Sequence, residues 1–231
     1  MKQKLQKHTF IAILLFALFL AWTAAVCLVD VQSIGPNGSP VGFAALNQSF
    51  HKLTGVHWKL YDITDLLGIL PFLFVAAFAA IGLMQLIQRK NFFQVDSDII
   101  ILGIFYIAVL AFYLLFELVE INYRPVLVEN RLEASYPSST TMLALCVFPT
   151  AILQLRRFIR NNALYSAVST VLILLTLFMV IGRAVSGVHW LSDIIGGILL
   201  SASLVLGYSC GIAFLKLNTG KRGKADRPSA Q

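Results

Sequence analysis

Residues 164–193 read LYSAVSTVLILLTLFMVIGRAVSGVHWLSD, and this stretch decides the fold. Leu164–Ile181 holds no charged residue. As a helix it is long enough to cross a hydrocarbon core of ~30 Å, and it is apolar on every face, which a surface helix in water is not. The run then stops abruptly. Arg183, Ser186, His189, Ser192 and Asp193 crowd the next residues. A spanning helix that ends in a knot of ionisable groups is the signature of a membrane protein whose chemistry lies at one face of the bilayer.

The rest of the chain agrees. Of 231 residues, 58% are hydrophobic and 13% charged, about half the charged share of a soluble domain. Five more apolar segments reach spanning length: Phe10–Val29, Leu66–Ile87, Ile99–Leu118, Thr141–Leu155 and His189–Leu215. The fold expected is an all-α integral membrane bundle of six transmembrane helices, over residues 1–217. Residues 218–231 are expected to form a basic, unstructured cytoplasmic tail near anionic headgroups. Lys2, Lys4 and Lys7 precede the first run in the manner of a signal peptide. That run is long for a cleaved h-region, however, and reads as a retained helix.

Net charge is +7, yet the basic residues sit in short clusters between apolar runs rather than on one soluble face, which argues against a nucleic-acid partner. With the N-terminus inside, thirteen Lys and Arg fall in inner segments and five in outer ones. Both termini are therefore expected in the cytoplasm, with the polar clusters facing outward across a cell membrane. Cys27, Cys146 and Cys210 each lie within an apolar run as small filler, and none has a partner at metal-ligand spacing.

The longest outer segment joins the first two spans. It opens with the turn formers 35–40, GPNGSP, and then places Phe43, Leu46, Phe50 and Leu53 at three- and four-residue spacing. That pattern predicts an amphipathic helix on the outer surface. The tetrapeptide GVHW occurs at 55–58 and again at 187–190. The flanking sequences differ, so it reads as coincidence.

Three outer clusters could carry chemistry. Glu117, Glu120, Asn122, Tyr123, Arg124 and Pro125 run off the third span. Tyr136, Pro137, Ser138, Ser139 and Thr140 lead into the fourth. The latter reads as a helix N-terminus, which presents free backbone N–H groups to an anion. In the third cluster His189 and Asp193, four apart, would share a helix face, so the carboxylate could fix the imidazole tautomer. Arg183 and Arg124 could each fork onto two phosphate oxygens. Each residue also has an ordinary structural explanation. It is their joint placement at one membrane face that points to a tetrahedral phosphate dianion.

These residues resemble the signature of the type 2 phosphatidic acid phosphatase (PAP2) superfamily: Lys-x6-Arg-Pro, Pro-Ser-Gly-His and Ser-Arg-x5-His-x3-Asp. Here the parts appear as Glu117 with Arg124-Pro125, as Pro137-Ser138-Ser139-Thr140, and as Gly182-Arg183 with His189 and Asp193. The resemblance implies a membrane lipid phosphatase that needs no metal or cofactor. His189 would attack phosphorus, Asp193 would orient it, and Arg124, Arg183, Ser138 and Ser139 would hold the phosphoryl oxygens. Two of the departures from the signature bear on the chemistry: Glu117 replaces a lysine, and Thr140 replaces the histidine that protonates the leaving group. The enzyme could be slow or inactive. It could act on a lipid diphosphate whose leaving group needs little protonation. Or another group, from Glu117, Glu120, Tyr136, His51 and His57, could supply the proton. A polyprenyl diphosphate fits best, with phosphatidylglycerophosphate and phosphatidic acid next. The rival is an impaired relative that binds lipid phosphates or a membrane partner.

Overall fold

A computed structural model describes residues 2–225, with side chains through 217. Eight α-helices carry the chain: α1 (Lys2–Leu28), α2 (Ala44–Thr54), α3 (Trp58–Leu67), α4 (Ile69–Arg89), α5 (Ser97–Leu118), α6 (Ser139–Phe158), α7 (Asn162–Val185) and α8 (Leu191–Ala225). No strand forms among the described residues. Six helical segments are long and apolar enough to cross a membrane. Where the tail was expected to be free, α8 continues as helix to Ala225; residues 226–231 lie outside the described residues.

The second span begins earlier than its hydropathy indicates. α3 and α4 join through Gly68, whose backbone is itself helical, and Trp58–Arg89 runs for 32 residues. At 1.5 Å per residue that is ~48 Å, so its first turns project beyond a core of ~30 Å. Asp62 and Asp65 are helical because they sit in that projecting part.

Side chains sort as a bilayer requires. Ile13, Leu73, Ile107 and Leu177 face outward and exposed, whereas polar groups turn inward and pair. Gln154 Nε2 donates to the Tyr208 hydroxyl (2.6 Å), and Ser203 Oγ donates to the Ala12 carbonyl (3.0 Å). α6 is the most enclosed span, gripped by α7 and α8. α1 packs chiefly on α8. Where α4 hands over to α5, Arg89 and Arg157 converge on Asp96 (2.8 and 3.7 Å). The Arg89 hydrogen bond leads in holding that carboxyl below the ordinary range.

The outer helix α2 forms, but its inward face is not the apolar one. Ala44 and Asn47 are buried, while Leu46 is exposed and Leu53 is 83% exposed. Asn47 docks the helix by hydrogen bonds: Nδ2 donates to the Gly42 carbonyl (2.7 Å) and Ser192 Oγ (2.9 Å), and Oδ1 accepts from Ser192 N (3.0 Å). The apolar spacing marks no single face: Phe43 stacks on Trp22 (4.8 Å between ring centroids) and packs on the core, Phe50 is half-buried, and Leu46 and Leu53 point away.

The two GVHW segments lie against each other. Gly55 and Gly187 both adopt left-handed φ (68° and 70°), a conformation that glycine adopts without steric penalty. A Cβ on Gly187 would overlap the Gly55 carbonyl. His57 N donates to the Ser186 carbonyl (2.9 Å). The recurrence is not idle, because each copy reverses the chain into a helix and the two turns pack together.

Candidate active site

α6 starts behind Tyr136-Pro137, whose peptide bond is cis. Ser138 N donates to the Asp193 carbonyl (3.1 Å), which ties this helix start to α8. Ser138 Oγ is buried without a protein partner. In the first turn of the helix, Thr140 Oγ1 accepts a hydrogen bond from Arg183 Nη2 (2.7 Å).

Arg183 ends α7 and is 1% exposed. Its Nη2 also donates to Asp65 Oδ1 (2.5 Å), and its guanidinium carbon lies 4.7 Å from the Tyr61 ring centroid. Arg124 approaches the same ring at 5.7 Å, and its Nε lies 3.1 Å from Glu133 Oε2. An antiparallel bridge between Tyr123 and Ala134 carries Arg124 into place, with Arg124 N bonded to the Glu133 carbonyl (3.0 Å). Tyr61 is thus a shared platform for both guanidiniums, and such cation–π contacts strengthen when desolvated.

His189 and Asp193 are brought together, but not as residues of one helix. His189 lies in the turn before α8, and its Nδ1 is 3.8 Å from Asp193 Oδ2, beyond hydrogen-bond length. Asp193 Oδ2 instead accepts from Trp190 N (2.9 Å). Its Oδ1 accepts from Asn122 Nδ2 (3.3 Å) and Ser192 Oγ (3.4 Å). The carboxylate caps the first turn of α8, and a shift of about 1 Å would close the imidazole contact. Burial, then the Arg124 and Arg183 guanidiniums, hold the His189 imidazole well below its ordinary pKa of 6.5. The ring is neutral at pH 7, the form that can act as a nucleophile.

A small cleft opens beside His189. Arg124, Glu117, Ser139, Tyr136 and His189 give it a polar side, and Phe112, Tyr113, Phe116 and Met142 an apolar one. Nine buried side-chain atoms among the described residues have no hydrogen-bond partner. Six of them are Arg124 Nε and Nη1, Arg183 Nε and Nη1, Ser138 Oγ and His189 Nδ1. Buried donors left unpaired are expensive, each by ~1–3 kcal/mol. Of the residues that carry them, Arg124 and His189 line the cleft, and Arg183 shares the Tyr61 ring with Arg124, so an oxyanion bound at Arg124 would satisfy unpaired donors.

The proton-donor candidates fare unequally. The Tyr136 ring lines the cleft, but its hydroxyl points to Thr23 Oγ1 (2.7 Å), and burial pushes its pKa up. Its ring fits only because residue 196 is glycine; a Cβ there would overlap it. Glu120 bonds the Tyr123 hydroxyl. His57 Nε2 lies 2.8 Å from the Thr54 carbonyl, and His51 Nε2 lies 3.1 Å from the Gly187 carbonyl. Glu117 is the candidate that faces the cleft with its carboxyl uncommitted to a hydrogen bond in the protein. Among the described residues no group of three His, Cys, Asp or Glu is placed to hold a metal ion.

Tyr61, Asp65, Asn47, Ser135 and Glu133 were not among the residues singled out by sequence. Asp65 carried a faint signal, as a charge at the mouth of an apolar run. Tyr61 and Asp65 are four apart on α3, and one helical face therefore reaches both arginines.

Residues 115–216 match the family model of the PAP2 superfamily. Over its length the chain shares the fold of a PAP2-type membrane phosphatase from Bacillus subtilis, described as a phosphatidylglycerolphosphate phosphatase. The TM-score is 0.57 at 20% identity, covering 95% of this chain and 98% of that one. No curated protein matches the sequence.

Proposed function

We propose, from the match of residues 115–216 to the PAP2 superfamily model and from six helices able to span a membrane, a lipid phosphatase that works through a phosphohistidine at the outer membrane face. The observation that carries the reading is the convergence of unpaired buried donors from Arg124, Arg183 and Ser138 on the neighbourhood of a neutral, buried His189. The apolar wall of Phe112, Tyr113 and Phe116 beside those donors fits a ligand that is lipid at one end and phosphate at the other.

In the reaction, the two guanidiniums and the α6 N-terminus take the phosphoryl oxygens. His189 Nε2 attacks phosphorus as the bond to the leaving oxygen breaks. Nδ1–H closes onto Asp193, which stabilises the charge that forms on the ring. Water then attacks phosphorus, the P–N bond breaks, and inorganic phosphate leaves. Thr140 cannot supply the proton for a lipid alkoxide, since its hydroxyl is a poor acid and already accepts from Arg183. Glu117 has the placement for that task. A polyprenyl diphosphate, which expels a lipid monophosphate, asks least of it. Phosphatidylglycerophosphate, the substrate in the name of the Bacillus subtilis protein, and phosphatidic acid ask more.

The test is phosphate release by detergent-purified protein from these three lipids, with His189→Ala as the blank. Release above the blank from at least one lipid is expected, the diphosphate fastest. No release from any of them by folded protein would replace this reading with a protein that binds lipid phosphates without turning them over, which the absence of a titratable group at position 140 favours.

A further inference from the structure

A guanidinium grips an oxyanion with two parallel N–H bonds in one of two ways, side-on through Nε and Nη2 or end-on through Nη1 and Nη2. Both use Nη2. In Arg183 that nitrogen has two N–H bonds and two acceptors, Asp65 Oδ1 at 2.5 Å and Thr140 Oγ1 at 2.7 Å. Nε and Nη1 have none. The residue keeps two buried donors unpaired, yet neither fork is open.

Of the two acceptors, Thr140 is buried on an enclosed helix. The Asp65 side chain is 58% exposed, on the outward projection of the second span. Asp65 is the one free to swing away. We propose that Asp65 is a specificity-determining residue that occupies one substrate-oxygen position on Arg183. It keeps the fork from the phosphodiester headgroups of the bilayer and yields to a terminal phosphate.

The site lies at headgroup depth, where monoanionic phosphodiesters surround it at high concentration. Exchanging one carboxylate charge for one diester charge gains Arg183 nothing. A terminal phosphate carries a second charge, and Arg124 is held over the same Tyr61 ring to receive it. That second contact offsets the loss of the Asp65 bond for the dianion alone. Arg124 is shadowed likewise by Glu133, 38% exposed, so both guanidiniums meet the solvent already covered by a carboxylate.

The proposal rests on the phosphatase reading of this site, and binding measurements separate the two. Full-length protein in detergent is titrated with inorganic phosphate and with dimethyl phosphate, and binding is read from the rise in unfolding midpoint. Wild type should bind phosphate and not the diester. Asp65→Asn should bind phosphate about tenfold more tightly, the factor carried by one charge-assisted hydrogen bond, and should bind the diester measurably. Asp65→Ser should give the same order if the asparagine variant folds poorly. If wild type binds phosphate and neither variant binds either anion more tightly, Asp65 is a structural ion-pair partner and the proposal is overturned. If wild type binds no phosphate, the phosphatase reading falls with it.

Discussion

Replacing Thr140 with histidine puts an imidazole where the PAP2 signature carries one, and the structure sets two opposing effects. General acid catalysis by a positioned imidazole contributes ~10²–10⁴ in rate when the leaving group is a lipid alkoxide. Against it stands the bond from Arg183 Nη2 to Thr140 Oγ1 at 2.7 Å. Its loss weakens the grip of Arg183 by about 1.4 kcal/mol, or roughly tenfold. Phosphatidic acid hydrolysis should therefore rise by ~10 to 10³. A polyprenyl diphosphate expels a lipid monophosphate and has little use for the acid, so it should slow by about tenfold. The binding loss is common to both substrates, and the ratio of the two values of kcat/KM isolates the proton transfer. That ratio should move by ~10² or more toward the monophosphate, as measured by phosphate release from the two lipids in the same detergent. A ratio that moves less than about tenfold would refute the claim that position 140 lacks an acid.

Two more outcomes follow from the site and its setting. The folded pKa of His189 is depressed by burial and by two arginines, so below pH 6.5 the unfolded chain binds a proton the folded one does not, and stability is lost as pH falls. The unfolding midpoint of wild type should fall from pH 7 to 5 by more than that of His189→Gln, and equal slopes would place the imidazole in contact with water. The orientation can be read at Glu129, an exposed residue of the α5–α6 connection: in a cysteine-free background, Glu129→Cys should react with an impermeant thiol reagent in intact cells. Reaction only after the membrane is opened would put the site on the other side.

The spans were legible in sequence because hydropathy is a local property: Leu164–Ile181 could be nothing but a spanning helix. The His189-x3-Asp193 spacing was legible too, though for the wrong geometric reason, since His189 stands in a turn and the carboxylate caps the helix below it. What stayed hidden were partners from distant elements. Asn47 carried no local signal, since its partners Gly42 and Ser192 come from the preceding loop and from α8. Tyr61 and Asp65 belong to the site only because α3 crosses the end of α7, where a Cβ on Gly182 would overlap Thr64. Nothing local to residues 58–67 encodes that approach.

The pairing of α1 with α8 bears on how the protein is made. α1 finds its main partner in α8, with four spans between them in the sequence. The Trp22 indole N–H is satisfied by the Ser192 carbonyl, 170 residues downstream (3.0 Å). During synthesis α1 must wait in the bilayer while four spans insert, and His189 and Asp193 arrive only with α8. A nascent chain therefore brings His189, Asp193 and the partners of α1 together only once α8 has joined the bundle.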